Sequence, residues 1–312
     1  MGNFKIKWPH GKSFAFTVFD DTDNQNEFNT RPVYDLLAEH GILTTKSVWP
    51  IQGSLVPTIG GETCENPDYL RWVLELKEKG FEIGMHNATY HTSQRKDTQL
   101  AFDRYKQLFG KHPIVLANHA YCSESIYWGS ARLTGFNKLI YKIANIRKFS
   151  EEFYGHRKES PLFWGDISKD RVKYVRNFIY NEINTLKACP VMPYYDPDRP
   201  YVNYWFASSD GHNCSTFNSL LSEKNQDSLV QEGGACIVYT HFASDFCESG
   251  KLNPRFKELI NRISKLNGWF VPVSDLLDYI LTIPGRPQFS PQIRSKLERK
   301  WLFKKTLDRG TT

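Results

Sequence analysis

The sequence contains no long hydrophobic run. No segment of its 312 residues approaches the roughly 18 consecutive apolar residues of a membrane-spanning helix. The opening segment, MGNFKIKWPHGKSF, has neither the apolar run nor the small-residue cleavage site of a secretion signal. Ile6 stands where a myristoylation signal needs Ser or Thr. These absences predict a cytoplasmic protein.

Paired cysteines are also missing. The six cysteines stand alone, with no CxxC pair, which argues against a disulfide framework and for reduced thiols. The chain shows no P-loop, zinc-finger or RNA-binding signature, and its net charge of +6 is scattered except near the C-terminus. We therefore expect no nucleic-acid partner.

The chain does have enough apolar residues, 40% of the total, to bury a large core, and it alternates β-rich with helical segments. The predicted strands cover 14–19, 43–49, 81–86, 113–118, 204–209, 235–241 and 269–273. The predicted helices lie near 30–40, 67–79, 95–109, 253–266 and 274–282, the last with Ser274 and Asp275 as its N-cap region. Repeated strand–helix units predict an α/β fold with a closed βα barrel, and an open doubly wound sheet is the alternative.

Residues 122–203 do not follow this alternation. The segment is rich in aromatic, charged and loop-forming residues and ends in CPVMPYYDPDRPYV, whose prolines exclude long regular structure. We predict an insertion that covers the carboxyl ends of the barrel strands. The predicted organisation is a barrel over 1–285 that includes this insertion, followed by a basic amphipathic tail over 286–312.

Ionisable and polar side chains collect where the predicted strands end. Asp20 and Asp21 end the first strand, and Asp23, in the turn-forming sequence DTDN, is interpreted as a turn residue. Others follow four later strands: His86, His91, Asn118, His119, Asp210, His212 and His241. In parallel βα folds the active site lies at this rim. The distribution predicts one shared site.

The paired aspartates indicate a metal ion. A helix N-cap needs only one carboxylate, whereas adjacent aspartates repel each other unless a cation lies between them. Carboxylates together with imidazoles suit a divalent ion such as Zn²⁺. We therefore predict a divalent metal cofactor, with Zn²⁺ as the first choice.

Four segments, FTVFDDTD, EIGMHNATYH, SSDGH and CIVYTH, resemble in order and spacing the motifs of the polysaccharide deacetylases of the NodB-homology type, carbohydrate esterase family 4. The resemblance extends over residues 13–245. It implies a distorted (β/α)7-type barrel and a metal-dependent hydrolase that removes an acetyl group from an N-acetylated sugar.

The resemblance also implies roles for individual residues. It makes Asp20 the general base and His241 the general acid, with Asp210 orienting His241. The implied metal ligands are Asp21, His86 and His91. In this scheme the base takes a proton from water and the acid protonates the departing amine.

The sequence departs from the family pattern at several positions. His86 and His91 are five residues apart where the family has four, so both can bind one metal only from an irregular loop. Thr22 replaces a glycine, and no Arg-Pro follows the fourth strand. We expect Asn118 or His119 to hold Asp20 instead. The departures indicate a divergent branch whose substrate need not be chitin or peptidoglycan.

Predicted substrate contacts are Asn118, His119, His212 and Trp164. For His119 and His212 a purely structural role is an equal alternative. Trp164 belongs to a group of aromatic residues in 122–203 that either stack on sugar rings or pack in the core, together with Tyr127, Trp128, Phe163, Tyr194 and Tyr195. The expected substrate is an acetamido sugar from surface-polysaccharide or lipopolysaccharide synthesis.

Two alternatives stay open from the sequence. In the tail, apolar Ile293, Leu297 and Trp301 recur every four residues among lysines and arginines, which fits either peripheral contact with an anionic membrane or a helix docked on the barrel. Because the Arg-Pro motif is missing, the chain could also be a catalytically silent carbohydrate-binding or assembly protein.

Overall fold

Parallel strands close into a barrel. The computed structural model describes residues 6–144 and 152–307. Its main strands are β1 (Phe14–Asp20), β2 (Thr45–Val48), β3 (Glu82–Met85), β4 (Val115–Leu116), β5 (Tyr174–Tyr180), β6 (Tyr204–Asp210) and β7 (Ala235–Thr240). Neighbours along the chain pair in parallel, and β7 returns to pair with β1 from Ala15–Ala235 to Asp20–Thr240. The prediction of a (β/α)7-type barrel is confirmed.

Three short strands complete the sheet structure. They are β8 (Cys247–Glu248), β9 (Lys251–Leu252) and β10 (Gly268–Phe270). β8 and β9 pair antiparallel with each other. β10 pairs with the beginning of β1, on the edge where β2 pairs with its end at Phe19 and Asp20. β1 therefore has three neighbouring strands, and its carboxyl end pairs with β2 on one side and β7 on the other.

Helices surround the barrel. They are α1 (Glu27–Glu39), α2 (Pro67–Glu78), α3 (Arg95–Phe109), α4 (Gly135–Ala144), α5 (Gly165–Arg171), α6 (Thr185–Ala188), α7 (Cys214–Leu220), α8 (Glu223–Glu232), α9 (Pro254–Ser264), α10 (Val273–Thr282) and α11 (Pro291–Leu307). All five predicted helices are present, as α1, α2, α3, α9 and α10. The last begins at Val273, one residue before the predicted cap, because Pro272 takes the N-cap position.

The region 122–203 is not wholly an insertion. It contains β5, whose seven residues are all buried and which pairs with β4 and β6. The sequence YVRNFIY hides this strand because Arg176 and Asn177 interrupt its apolar pattern. Arg176 can be buried there because it forms an ion pair with Asp21. The barrel thus includes a strand from the region that was expected to cover it.

The C-terminal helix α11 packs on the barrel. Leu297, Trp301 and Leu302 are buried, and the Trp301 ring lies 5.7 Å from the ring of Phe178 in β5. This is the docked alternative for the tail, and it uses the apolar face that membrane contact would need. Residues 308–312 of the predicted tail lie outside the described residues. Among the described helices, none has the length and hydrophobicity to cross a membrane.

Candidate metal centre at the barrel rim

Three buried side chains from the carboxyl ends of β1, β3 and β4 converge. Asp23 Oδ1 lies 3.2 Å from His86 Nε2 and 3.1 Å from His119 Nδ1. The two imidazole nitrogens are 3.1 Å apart. We call Asp23, His86 and His119 the Asp23 cluster. Its donor atoms all lie within 4.8 Å of one another.

Local backbone conformation aims these side chains inward. The turn after β1 has Asn24 at φ 57°, and the loop after β3 has Asn87 at φ 57°, a left-handed conformation that asparagine tolerates better than most residues. The His86 Nδ1 atom lies 3.1 Å from the carbonyl of Ala117, so Nδ1 carries the proton and Nε2 offers its lone pair to the cluster. Asp23 does lie in a turn, as predicted, but its carboxylate is the centre of the cluster.

The donor set fits a divalent cation. Asp23 Oδ1 has no hydrogen bond of acceptable geometry within the described chain, although two imidazole nitrogens face it. A buried acceptor without a donor is costly, and two imidazoles plus a carboxylate form a common zinc-binding set. Burial raises the pKa of Asp23, but the charge of His119 and contacts with the other histidines hold it well below its ordinary value. A carboxylate kept ionised suits metal binding.

The other two predicted ligands lie outside this cluster. Arg176 binds Asp21 through both carboxylate oxygens, at 2.7 and 2.5 Å, and Asp21 Oδ2 is 3.9 Å from His86 Nε2. His91 Nε2 accepts a hydrogen bond from Ser54 N at 2.9 Å, and its Nδ1 lies 2.8 Å from the Thr92 carbonyl. Both ring nitrogens of His91 are therefore engaged by main-chain atoms, one in its own loop and one in the loop after β2. The structure does not assemble the predicted set of Asp21, His86 and His91, and it keeps only His86.

Asp20, the predicted base, is enclosed by donors. Gln25 Nε2 donates to both of its oxygens at 2.7 Å, Tyr34 Oη donates at 2.6 Å, and Phe242 N donates at 2.9 Å. Lys46, the register partner of Asp20 on β2, donates to Gln25 Oε1. We call Asp20, Gln25, Tyr34 and Lys46 the Asp20 cluster. Burial raises the pKa of Asp20, and the Lys46 charge opposes this.

The expected holders of Asp20 have other partners. The Asn118 side chain accepts from Ile126 N at 2.8 Å and donates to Ile126 O at 3.1 Å, which fixes the loop after β4. His119 belongs to the Asp23 cluster. Neither side chain reaches Asp20, because Gln25 and Tyr34 already fill that position. Asn118 was also predicted to contact the substrate, but it is buried and its described contacts are to the main chain of Ile126.

His241 lies beside the Asp23 cluster. Its Nε2 is 3.3 Å from Asp23 Oδ2 and 3.2 Å from Tyr239 Oη, and its Nδ1 is 2.8 Å from the His212 carbonyl. Burial lowers the pKa of His241, but Asp23 outweighs this and raises it to about 9. The carboxylate that faces His241 is thus Asp23 rather than the predicted Asp210.

Asp210 forms a separate pair of contacts. His212 Nδ1 lies 2.9 Å from its Oδ1, and Lys304 of α11 donates to its Oδ2 at 2.5 Å. Burial raises the pKa of Asp210, but these two partners lower it to about 2. His212, whose side chain is 31% exposed, lies at this edge of the site. Asp210 is positioned to hold His212 and α11.

Trp164 is not available to stack on a sugar. Its side chain is buried, its Nε1 donates to the Glu124 carbonyl at 2.6 Å, and its ring packs 5.8 Å from that of Phe102. The core-packing alternative applies here. Tyr195, from the same predicted group, is 41% exposed.

Sequence reasoning missed Lys46 and Arg176. Both are charged residues inside apolar strand segments, LTTKSVW and YVRNFIY. A buried charge needs a partner of opposite sign, and the paired aspartates after β1 supply one for each. A search for single charges within predicted strands would have found Lys46, whereas Arg176 lies in β5, which the sequence pattern did not predict.

The comparisons with known proteins agree with this architecture. No family model matches the chain, and no curated protein does. A candidate polysaccharide deacetylase from Mycobacterium smegmatis superimposes with a TM-score of 0.50 at 12% identity, over 92% of this chain and 97% of that one. One from Pseudomonas aeruginosa PAO1 gives 0.49 at 11% identity, over 87% and 92%.

A third solved structure, the allantoinase Puue, gives a TM-score of 0.48 at 12% identity, over 89% of this chain and 93% of that one. At 12% identity the likeness to the Mycobacterium smegmatis structure establishes the fold and nothing finer. The chain has the fold of the polysaccharide deacetylases, which is the fold that its motifs implied.

Proposed function

We propose that this protein is a metal-dependent hydrolase that removes the acetyl group from an N-acetylated sugar. One observation carries the proposal: Asp23, His86 and His119 converge at the carboxyl end of a deacetylase-type barrel. A carboxylate–arginine pair and a histidine stand directly beside them. The arrangement offers groups for binding a cation, accepting a proton and donating a proton.

The Asp23 cluster would hold the cation. A divalent ion there would supply Lewis-acid polarisation of the amide carbonyl. The buried, ionised Asp23 provides the negative charge, and His86 is oriented by the Ala117 carbonyl. Zn²⁺ is the ion that this donor set suits best.

We assign the general base to Asp21 rather than to Asp20. A carboxylate has about four lone-pair positions, and the contacts from Gln25, Tyr34 and Phe242 use all of those on Asp20. Asp21 receives one donor from Arg176 on each oxygen, which among the described residues leaves one lone-pair position free on each. Arg176 would fix the orientation of Asp21 while it takes a proton from the attacking water.

The general acid in this proposal is His241. The His212 carbonyl lies beside Nδ1, so Nε2 is the nitrogen that faces the site. Cleavage of an amide requires a proton on the departing nitrogen. The hydroxyl of water bonds to the carbonyl carbon, the C–N bond breaks, and His241 gives its proton to the amine. The products are acetate and an amino sugar.

Metal analysis combined with acetate release tests the proposal. The purified protein should contain about one divalent ion per chain and release acetate from at least one sugar in a panel of free, nucleotide-linked and lipid-linked acetamido sugars. Asp23→Ala should remove the metal and the activity. His91→Ala is the matched control, since both ring nitrogens of His91 contact main-chain atoms outside the Asp23 cluster, and it should retain both.

Three outcomes would contradict parts of this scheme. Metal loss in His91→Ala with full metal in Asp23→Ala would restore the ligand set predicted from sequence. Metal without acetate release from any sugar would favour the catalytically silent carbohydrate-binding protein. Acetate release that persists in the metal-free protein would remove the metal from the mechanism.

A further inference from the structure

Helix α4 is amphipathic in the reverse sense. Its inward face carries Asn137, which donates to Glu298 Oε2 of α11 at 2.8 Å, and Tyr141, whose ring stacks 5.8 Å from that of Trp301. In most helices of globular proteins the apolar face is the one that turns inward. In α4, hydrogen bonds and one ring contact attach the helix to α11. Its large apolar side chains lie on the opposite, exposed face.

The outward face is a continuous apolar stripe. Phe136, Leu139, Ile140 and Ile143 are 73%, 51%, 40% and 62% exposed. Their spacing of three, four and seven residues aligns them along one side of the helix. We call these four residues the α4 stripe. Large apolar side chains grouped in this way mark a surface that contacts something apolar.

The charges around the stripe are predominantly basic, and Glu152, an acidic residue near Lys142, forms an ion pair with Arg157. α4 carries Lys138 and Lys142 and no acidic residue, and the neighbouring α11 exposes Lys296 and Arg299. The single acid of α11, Glu298, is fully buried. Burial, and then the charge of Lys142, place the pKa of Lys138 below its ordinary value. The surface is therefore apolar in its centre and basic at its edges.

We propose that α4 docks this protein on an anionic membrane surface, with the stripe in the boundary between headgroups and acyl chains. An apolar stripe flanked by lysines is the composition of interfacial helices, and each basic residue gains from anionic lipid headgroups. A second copy of the chain fits less well, since a two-fold pairing of this surface would bring lysines against lysines. The docking element is thus α4, whereas the apolar face of α11 is already packed on the barrel.

Vesicle co-sedimentation of the full chain tests this proposal. Binding to equimolar phosphatidylcholine and phosphatidylglycerol vesicles should exceed binding to phosphatidylcholine alone and should weaken with salt. Leu139→Ser should lower the binding constant by about tenfold or more, because one leucine no longer enters the bilayer. Leu100→Ser on α3 is the matched control, at a helical leucine of similar exposure (57%), and should bind as the wild type does.

A charge variant and a sedimentation measurement complete the test. Lys138→Gln/Lys142→Gln should weaken binding to the anionic vesicles by about tenfold and leave thermal unfolding unchanged. Equal binding by the wild type and Leu139→Ser, or no binding by the wild type, would overturn the proposal. A concentration-dependent dimer that Leu139→Ser abolishes, without vesicle binding, would assign the stripe to a second copy and would also overturn it.

Discussion

Asp20 and Asp23 are three residues apart in sequence, but the clusters around them differ in how their polar atoms are hydrogen-bonded. In the Asp20 cluster every carboxylate oxygen has donors, and Lys46 supplies the opposite charge. In the Asp23 cluster the acceptors face one another, and Oδ1 lacks a well-directed donor within the described chain. The first arrangement is complete as protein structure, while the second leaves a buried acceptor that the proposed cation would satisfy. Position at a strand end is therefore weaker evidence of catalysis than an unfilled lone pair.

Asp21→Asn should have the largest effect on turnover. The amide cannot accept a proton from water, so we expect kcat to fall by about 10²- to 10⁴-fold. Metal content should stay unchanged, because Asp21 is not in the Asp23 cluster. Acetate release and metal analysis on the same preparation check both points. Loss of the metal together with activity would make Asp21 a ligand, as the family resemblance implied.

Asp20→Ala should have the largest effect on stability. It leaves Lys46 buried without its opposite charge and removes the acceptor of Tyr34 and Gln25, which should lower the free energy of unfolding by about 3–5 kcal/mol. Asp23→Ala, compared with the metal-free wild type, should cost much less. Urea denaturation of the three proteins in the presence of chelator measures the difference. Equal losses in the two variants would remove the distinction between the clusters.

His241→Ala should lower kcat by about 10²-fold while the metal is retained. The reason is that the leaving amine loses its proton donor, whereas Asp23, His86 and His119 remain in place. Asp210→Asn should act more weakly, since Asp210 contacts His212 and Lys304 rather than His241. An undiminished rate in His241→Ala would show that another group protonates the amine.

Lys46→Met should change the pH dependence of stability. Burial lowers the pKa of Lys46 from 10.5 to about 8. Between these pH values the unfolded chain binds a proton that the folded chain does not, so this residue makes stability rise with pH, by at most about 1.4 kcal/mol per pH unit. The variant should lack this rise. Urea denaturation at a series of pH values measures it, with Lys77→Met, at an exposed lysine, as the control.

Sequence patterns located the barrel and most of its elements, because parallel strands and amphipathic helices have distinct periods. β5 was not predicted, because the buried Arg176, which forms an ion pair with Asp21, interrupts the run of apolar residues typical of a buried strand. The patterns also placed His86 and His241 at the rim where the structure has them. They could not decide between Asp21 and Asp23, or between His91 and His119, because strand order shows which loops meet and not which side chain of a loop turns inward.

The hydrogen bond from Phe242 N to Asp20 spans 222 positions of the chain and lies at the seam where β7 closes on β1. Contacts of such long sequence separation form late in folding, because the loop entropy must be lost first. The three donors of the Asp23 cluster, by contrast, all lie within residues 23–119. A growing chain would therefore contain every proposed metal ligand long before His241 is synthesised. The proposed cation affinity and hydrolytic activity would therefore arise at different moments of biosynthesis. The activity would follow only when β7 pairs with β1 and closes the barrel.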